Sequence, residues 1–263
     1  MKDSSFDYLQ IREIFHLEFL RTLSRILKAE HYALKGGVNM RFFYQSIRYS
    51  EDMDLDAGAI SVEKLKESVM RLLSRTSLRE NLIPFGVSDI ILPNIQKAKQ
   101  TETTQRFKVH LKTTAGTDLF TKIEFSRRGF EGQVITQTVP NTILRYYKLP
   151  PFVVPHYDIF AAVRQKINAL ASRAITQARD IFDLYLLSSQ YNSDNRKQSY
   201  LDKDILAQAL TNTYDISFNR FRDTVLDYLS AEDQQVYNSP DRWDEVRLKV
   251  VDFIEEFKGT HEE

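Results

Sequence analysis

The spacing of apolar and polar positions changes along the first part of the chain. Residues 5–29 carry apolar side chains at helical spacing, which predicts one or two helices. Residues 107–111 and 119–125 instead alternate between apolar and polar side chains, and the turn-forming segment 113–118 separates them. This period of two predicts an antiparallel hairpin. On the predicted first helix, the charged residues are expected on the face opposite the apolar stripe: Glu13, Glu18, Arg21 and Arg25.

Shorter elements are predicted between that helix and the hairpin. Residues 32–34 and 52–56 read as short strands, and residues 38–44 have helical spacing. A further helix is expected over residues 61–75, with Ser61 as its N-cap. The first half of the chain therefore predicts a mixed sheet with flanking helices.

The second half of the chain reads as helical. Four prolines lie within residues 139–156, and we place a domain boundary there. Helices are predicted over residues 159–172 and 175–187, and about three more over residues 200–258. One apolar stripe near the end is expected in the core: Trp243, Val246, Val250, Phe253 and Phe257. The predicted fold class is α+β, with a sheet domain over residues 1–150 and a helical domain over residues 151–263.

Composition limits the classes of function. The 263 residues contain 36 Lys plus Arg and 36 Asp plus Glu, so any contact with RNA must come from local basic patches. Cysteine is absent, which excludes disulfides, thiolate zinc sites and a cysteine nucleophile. No apolar run approaches the ~20 residues of a membrane helix, and the N-terminus lacks a secretory signal. We expect a cytoplasmic protein without a membrane partner. Motifs of zinc hydrolases, serine hydrolases and P-loop proteins are missing from the sequence.

The segment 35–56 carries the candidate chemistry. Gly36 and Gly37 precede a helix, and backbone N–H groups at such a helix start suit a phosphate. Asp52, Asp54 and Asp56 would share one face of the following strand because side chains alternate. Carboxylates at this spacing can hold Mg²⁺, which prefers a few carboxylates together with phosphate oxygens. The segment predicts a site for a nucleoside triphosphate (NTP) and a metal.

This segment resembles the AbiEii toxin family of the nucleotidyltransferase superfamily, through K-G-G-x-x-x-R followed by R-x-S-E-D-x-D. The matching residues are Lys35, Gly36, Gly37, Arg41, Arg48, Ser50, Glu51, Asp52 and Asp54. A later lysine-containing helix and R-D-x-x-D helix resemble the same family, at Lys166, Ala169, Arg173, Arg179, Asp180 and Asp183. One position departs from the pattern: Val38 stands where the family usually has a hydroxyl residue.

The second motif also has a physical basis in helix geometry. Lys166 and Arg173 are two helical turns apart and would point the same way, so that they could neutralise triphosphate charge. Arg179 and Asp183 are four residues apart and could bond along one helix. Asp183 could alternatively orient Lys166 or bind part of the nucleotide. Ordinary solvated helices with surface ion pairs are the alternative for this motif.

The resemblance implies an enzyme that moves a nucleoside monophosphate from an NTP to an acceptor hydroxyl, with Mg²⁺ or Mn²⁺ as cofactor. It further implies an RNA or tRNA acceptor, a toxin–antitoxin or phage-defence system, and a cognate antitoxin. Asp52, Asp54 and Glu124 would bind metal, and Lys166 would stabilise charge. Glu124 would come from a neighbouring strand and bind metal or accept the hydroxyl proton. Nucleotide contacts would come from Lys35, Gly36, Gly37, Arg41, Ser50 and Asp183.

Several alternatives stay open. Glu124 could be an exposed strand residue paired with Arg127 or Arg128. The same metal site could serve a small-molecule acceptor such as an antibiotic, which an acidic cleft would favour. A basic groove would favour RNA, and its candidates are Lys97, Lys99, Arg127 and Arg128. A nucleotide-binding module without catalysis and a helical scaffold that binds no NTP complete the set.

Overall fold

The computed structural model describes residues 6–191 and 201–258. The chain forms two compact units. Within the described residues, the first unit contains residues 6–43 and 49–157, and the second contains residues 44–48, 158–191 and 201–258. The short segment 44–48 therefore belongs to the second unit although the residues on both sides of it belong to the first.

The first unit is built on a mixed sheet, and seven strands of the described residues take part in it. They are β1 (Tyr32–Lys35), β2 (Met53–Ala57), β3 (Val87–Ile91), β4 (Thr104–Thr113), β5 (Asp118–Ser126), β6 (Val134–Thr138) and β7 (Val153–Tyr157). Their order in the sheet is β3-β4-β5-β2-β1-β7-β6. β2 runs antiparallel to β1 and parallel to β5, while β4 and β5 form the predicted antiparallel hairpin. The mixed sheet with flanking helices, predicted as an α+β fold, is confirmed.

Helices of the first unit bury the apolar face of this sheet. They are α1 (Tyr8–Ile26), α2 (Gly36–Phe43), α3 (Val62–Leu73), α4 (Thr76–Leu82) and α5 (Asn141–Tyr146). α1 begins with a capping box, in which Asp7 accepts from the Gln10 N–H and Gln10 accepts from the Asp7 N–H. One core cluster joins the α1 stripe to the alternate residues of β2 and β5: Phe15, Phe19, Leu23, Met53, Leu55, Ile123 and Phe125.

Two acids on the polar side of α1 are buried, Glu13 and Glu18. Glu13 accepts hydrogen bonds from Arg41 at 2.5 Å and from the Tyr147 hydroxyl at 2.6 Å. Glu18 accepts from Arg21 at 2.6 Å and also from the Asn81 amide. Arg21 lies on α1 itself, and the other three donors come from elements distant in sequence that cover its polar side. Buried acids of this kind are tolerated because each carboxylate has cationic or hydroxyl partners.

The proline-rich segment forms regular structure. Pro140 directly precedes α5, a position where the missing N–H of proline costs no helical hydrogen bond. Pro155 lies within β7, opposite Thr136 of β6, and the parallel pairing of β7 with β1 is limited to Leu34 and His156. The segment in which the sequence predicts a domain boundary therefore contains a helix, α5, and a strand of the sheet, β7.

The second unit is helical, as predicted. It contains α6 (Ile159–Ser172), α7 (Ala178–Ser188), α8 (Lys203–Asp215), α9 (Phe218–Val225), α10 (Ala231–Tyr237) and α11 (Pro240–Lys258). The predicted stripe of α11 from Trp243 to Phe257 is buried, and the Trp243 ring stacks on Phe221 at 4.3 Å. The Trp243 indole N–H also donates to the Ile216 carbonyl at 3.0 Å. Within residues 6–191 and 201–258, none of the helices has the length and apolar character that crossing a bilayer requires.

Candidate active site

A row of charged residues crosses four neighbouring strands of the first unit. The registers pair Lys35 of β1 with Asp54 of β2, Asp54 with Glu124 of β5, and Glu124 with Arg106 of β4. Side chains at paired positions point to the same face of a sheet. The row therefore lies opposite the buried face that carries Met53. Asp54 and Glu124, which are 70 residues apart in the sequence, become direct neighbours.

Asp52 joins this row from the residue before β2. Its Oδ1 accepts the backbone N–H of Lys122 at 3.0 Å, and its Oδ2 lies 3.0 Å from the Lys122 ammonium nitrogen. That Nζ atom is also 4.0 Å from Glu124 Oε2. Arg106 donates to the same Glu124 oxygen at 2.7 Å. Two carboxylates of the row are therefore held by cations from the β4–β5 hairpin.

Sequence reasoning missed Lys122 and Arg106 as partners of these acids. It offered Arg127 or Arg128 as the alternative partner of Glu124, but Arg127 donates to Gln105 and to the Ile60 carbonyl. The sequence did contain a signal for Lys122: side chains alternate along a strand, so Lys122 and Glu124 lie on the same face of β5. Arg106 needed the hairpin register, which the turn at residues 113–118 determines.

Asp54 is the acid of the row without a partner. Among the described residues, its carboxylate accepts no hydrogen bond and lies in no ion pair, although Lys122 and Lys35 attract it through space. Burial and repulsion from Glu124 and Asp52 raise the pKa of the Asp54 carboxyl, and the two lysines oppose this rise. A cation on this face would relieve the repulsion that the raised pKa reflects.

The glycine corner touches Asp54 directly. Gly36 begins α2 with a φ of +68°, a left-handed conformation that glycine adopts without a steric penalty. A Cβ at this position would lie 3.0 Å from Asp54 Oδ2, so the carboxylate packs against the glycine Cα. Gly37 follows in the first turn of α2 and is partly exposed. The two predicted motifs are therefore in direct contact.

The rest of α2 is anchored in the protein interior. Val38, which replaces the expected hydroxyl residue, is buried in the core cluster. Asn39 is also buried, and its amide donates to the Tyr157 carbonyl at 3.1 Å. Residue 38 therefore contributes packing at the start of the helix and offers no hydroxyl group to a ligand.

Asp56 differs from the other acids of β2 because it is buried and fully paired. Lys35 Nζ lies 2.5 Å from Asp56 Oδ1, and the Tyr157 hydroxyl donates to Asp56 Oδ2 at 2.5 Å. Burial and this carboxylate both raise the pKa of the Tyr157 hydroxyl. Asp56 therefore positions Lys35, which was predicted to contact nucleotide, beside Asp54.

Two other predicted nucleotide contacts have internal partners. The Ser50 hydroxyl donates to the Asp52 carbonyl at 2.7 Å and so fixes the turn before β2. Arg41 donates to Glu13 at 2.5 Å, and its guanidinium lies over the Tyr49 ring at 4.0 Å. Both residues border a small, partly open pocket that is lined by Glu13, His16, Val38, Arg41, Phe42 and Ser50.

The second motif forms an ion network within the second unit. Lys166 Nζ lies 3.0 Å from Asp180 Oδ1 and 2.6 Å from Asp183 Oδ2. Asp183 also accepts two hydrogen bonds from Arg48, at 3.0 and 2.9 Å. Arg173 Nε lies 2.9 Å from Asp180 Oδ2, so Lys166 and Arg173 contact the same acid. Burial would raise the pKa of Asp183, but Arg48 and Lys166 outweigh it and hold this pKa at about 2.

The predicted bond between Arg179 and Asp183 is wrong. Arg179 lies on the exposed side of α7 and enters no ion pair with any residue of the described ranges. Asp183 lies on the buried side of the same helix, where its oxygens bind Lys166 and Arg48. The spacing of four residues allows a contact between Arg179 and Asp183, but the Asp183 carboxylate is buried and pairs with Lys166 and Arg48 instead.

The acids of the first unit fit a divalent cation in their chemistry. In residues 6–191 and 201–258, no three His, Asp or Glu side chains are arranged as a ready-made metal cluster. The reason is that Asp52 and Glu124 are turned to Lys122 and Arg106. Mg²⁺ is often bound by one or two carboxylates plus substrate phosphates, so a complete protein cage is not required. Unpaired Asp54 beside two further carboxylates meets that need.

Comparison with known proteins identifies the family. The profile described as "Nucleotidyl transferase AbiEii toxin, Type IV TA system" matches residues 18–259. Among curated proteins, none matches the sequence significantly.

Solved structures share the fold. An H. pylori protein described as a nucleotidyltransferase is 20% identical, with a TM-score of 0.59 over 97% of this chain and 96% of that one. JHP933 from Helicobacter pylori is 17% identical, with a TM-score of 0.57 over 98% and 94%. MenT4, a nucleotidyltransferase toxin from Mycobacterium tuberculosis, is 15% identical, with a TM-score of 0.60 over 95% and 84%. Since the family profile spans most of the chain, this protein belongs to the AbiEii family of nucleotidyltransferase toxins of type IV toxin–antitoxin systems.

Proposed function

We propose that this toxin transfers a nucleoside monophosphate from an NTP to a hydroxyl of an RNA acceptor, with tRNA as the first candidate and Mg²⁺ or Mn²⁺ as the cofactor. The observation that carries the proposal is the unpaired Asp54 carboxylate packed against Gly36, with Asp52 and Glu124 beside it. A metal-binding acid and a phosphate-binding corner are adjacent in this arrangement.

Each residue of the row has a proposed role. Asp52, Asp54 and Glu124 would hold the cation, which when bound would neutralise charge on the triphosphate. Backbone N–H groups of Gly36 and Gly37 would bind its outer phosphates. Lys35, held by Asp56, adds positive charge next to them.

The chemical step is an in-line displacement at the α-phosphorus. The acceptor oxygen forms the new bond to phosphorus, and the bond from the α-phosphorus to the bridging oxygen breaks, so that pyrophosphate leaves with the bonding electrons. In this proposal the hydroxyl proton goes to the Glu124 carboxylate, which the sheet register places next to Asp54. Positioning and charge stabilisation supply most of the rate, as is general for phosphoryl-type transfer.

Four further residues support the site in this proposal. Ser50 fixes the turn that carries Asp52, and Arg41 stabilises α2 through Glu13. Lys166 remains the proposed charge-stabilising cation, and Asp183 is one of two carboxylates that hold its ammonium group in place. A side chain fixed in this way loses little conformational entropy when it meets a charged ligand.

Exposed cations near the row favour RNA over a small-molecule acceptor. Lys97, Lys99 and Arg128 are exposed. The Lys99 carbonyl accepts the Arg106 N–H at 2.8 Å, and Arg106 in turn contacts Glu124. Exposed cations therefore lie on the segment before β4, next to Arg106 in the hydrogen-bonded backbone, where they could contact a phosphate backbone. We also propose the cytoplasm as the compartment, because NTPs and tRNA are found there, and a cognate antitoxin as the partner that the family implies.

A labelling assay tests the function. Purified protein is incubated with Mg²⁺, one α-labelled NTP at a time, and either total RNA or an aminoglycoside. We expect label on tRNA, and a loss of about 100-fold or more in Asp54→Asn, because that carboxylate has a role only in the active site. Asp118→Asn is the matched control, since Asp118 is an exposed acid of the same β4–β5 hairpin that pairs with Lys112 and His110. Label on the aminoglycoside alone, or equal labelling by both variants, would refute the proposal.

A further inference from the structure

Lys122 binds one of the acids twice. Its backbone N–H and its ammonium group reach different oxygens of Asp52, each at 3.0 Å. The same ammonium lies 4.0 Å from Glu124, two residues farther along β5. A single positive charge therefore lies between two of the three carboxylates proposed to bind metal.

The neighbouring strand provides a comparison within the same face. Lys108 of β4 is directly opposite Lys122 in the hairpin register. Lys108 is exposed and makes no ion pair with any residue in the described part of the chain. The pairing of Lys122 therefore follows from its position beside Asp52 and Glu124, and is not a general property of lysines on this face.

We propose that Lys122 is an internal counter-cation, whose ammonium group pairs with Asp52 and Glu124 until a divalent cation displaces it. This inference rests on the proposed function, because it assumes that these acids bind metal. Like charges at close range repel, and the lysine reduces that repulsion in the metal-free protein. The same ion pair competes with the metal, so the free protein binds divalent cations weakly.

Competition also gives the lysine a second use. Once displaced from the carboxylates, the ammonium group on its flexible stem is free to meet an anionic ligand of the same face. Binding of metal together with a triphosphate would then exchange one ion pair for another. Binding of metal alone would break an ion pair without replacement, which favours joint binding of metal and nucleotide.

The test is a titration with Mn²⁺ alone, in which isothermal calorimetry measures the affinity. Low ionic strength is used because charge effects are least screened there. Four proteins are compared: wild type, Lys122→Gln, Lys122→Arg and Lys108→Gln. Since a unit charge 3 to 4 Å from two ligands is removed, we expect Lys122→Gln to bind Mn²⁺ about tenfold more tightly than wild type. Lys122→Arg keeps the positive charge at position 122, and Lys108→Gln removes a positive charge that enters no ion pair among the described residues. Both variants should therefore bind Mn²⁺ with the affinity of wild type.

Thermal unfolding gives a second readout that needs no catalysis. In chelator, Lys122→Gln should unfold about 2–4 °C below wild type, because the ammonium group no longer offsets the repulsion between Asp52 and the neighbouring acids. Saturating Mn²⁺ should remove that deficit in Lys122→Gln. A deficit that Mn²⁺ leaves unchanged would mean that the lysine has only a structural role.

Three results of the titration would overturn the inference: equal Mn²⁺ affinity in wild type and Lys122→Gln, weaker affinity in Lys122→Gln, or no binding in any of the four proteins. Because neither NTP nor acceptor is present, the outcome is independent of nucleotide transfer. Tighter Mn²⁺ binding in Lys122→Gln combined with absent transfer would refute the proposed function and leave the role of Lys122 standing.

Discussion

Replacing Gly36 with alanine tests whether the glycine corner and Asp54 act as one site. The substitution has two separate consequences. At a φ of +68°, an L-residue pays about 1–2 kcal/mol for the left-handed backbone. The new Cβ would also lie 3.0 Å from Asp54 Oδ2, which is closer than nearly all real Cβ contacts. The carboxylate must then shift by a few tenths of an ångström.

Gly116→Ala separates these two consequences. Gly116 has a φ of +81°, and a Cβ added there would meet no atom within 4 Å. Both variants should therefore pay the same backbone penalty of about 1–2 kcal/mol, which corresponds to a decrease of about 2–8 °C in Tm. The variants differ at the proposed site, where only Gly36→Ala displaces Asp54 and strains the start of α2.

Nucleotide transfer by the two variants is measured with the labelling assay at a temperature where both are folded. A misplacement of about 1 Å in an active site can cost about 100-fold in rate, so a smaller shift of Asp54 should cost about tenfold or more in Gly36→Ala. Gly116→Ala should keep wild-type activity, because it lies in the β4–β5 turn. Equal activity of the two variants would show that the contact between Gly36 and Asp54 has no part in the reaction.

Two further predictions concern the ion network of the second unit. Arg48→Ala should lower the free energy of unfolding by about 3–5 kcal/mol in a urea titration, because it breaks a buried pair with Asp183. The control Arg179→Ala changes an exposed residue and should alter this free energy by less than about 0.5 kcal/mol. Similar losses in the two variants would contradict the network. Since Asp183 has a pKa lowered to about 2, its carboxylate stabilises the folded state above the ordinary value of 3.8, and this contribution of about 2 kcal/mol is lost as pH falls toward 2. The stability difference between wild type and Asp183→Asn should therefore be constant above pH ~5 and shrink below pH ~4; a difference that does not change with pH would refute this assignment.

The periodicity of the local sequence was sufficient to predict the two strands that carry Asp54 and Glu124. The alternation around Asp54 and Glu124 predicted the faces of β2 and β5, and the structure has both elements within one or two residues of the prediction. The start of α2 followed from Gly36 and Gly37, because left-handed backbone and close approach select glycine. These features depend on neighbours in the sequence and can be derived from it.

Contacts between distant segments could not be derived in that way. The Tyr157 hydroxyl that binds Asp56 comes from a residue 101 positions later. Glu13 lies on the polar side of α1 and is nevertheless buried, and its partner Tyr147 is 134 positions away. Both contacts require the sheet and its helices to be assembled, and the period of a single element contains no information on the partner that covers its polar face.

The balance of charge differs between the two clusters, and the difference matches their proposed roles. In the second unit, three cations face two carboxylates, so Arg48, Lys166, Arg173, Asp180 and Asp183 together have one formal positive charge in excess. On the sheet of the first unit, four carboxylates face three cations, so a negative charge remains in excess, and the unpaired acid is partly buried. The carboxylates are those of Asp52, Asp54, Asp56 and Glu124, and the cations are Lys35, Lys122 and Arg106. A buried charge without compensation is unfavourable, and such charges are found preferentially where a ligand supplies the counter-charge. The negative excess on the sheet of the first unit therefore calls for a cation, in keeping with the proposed metal site.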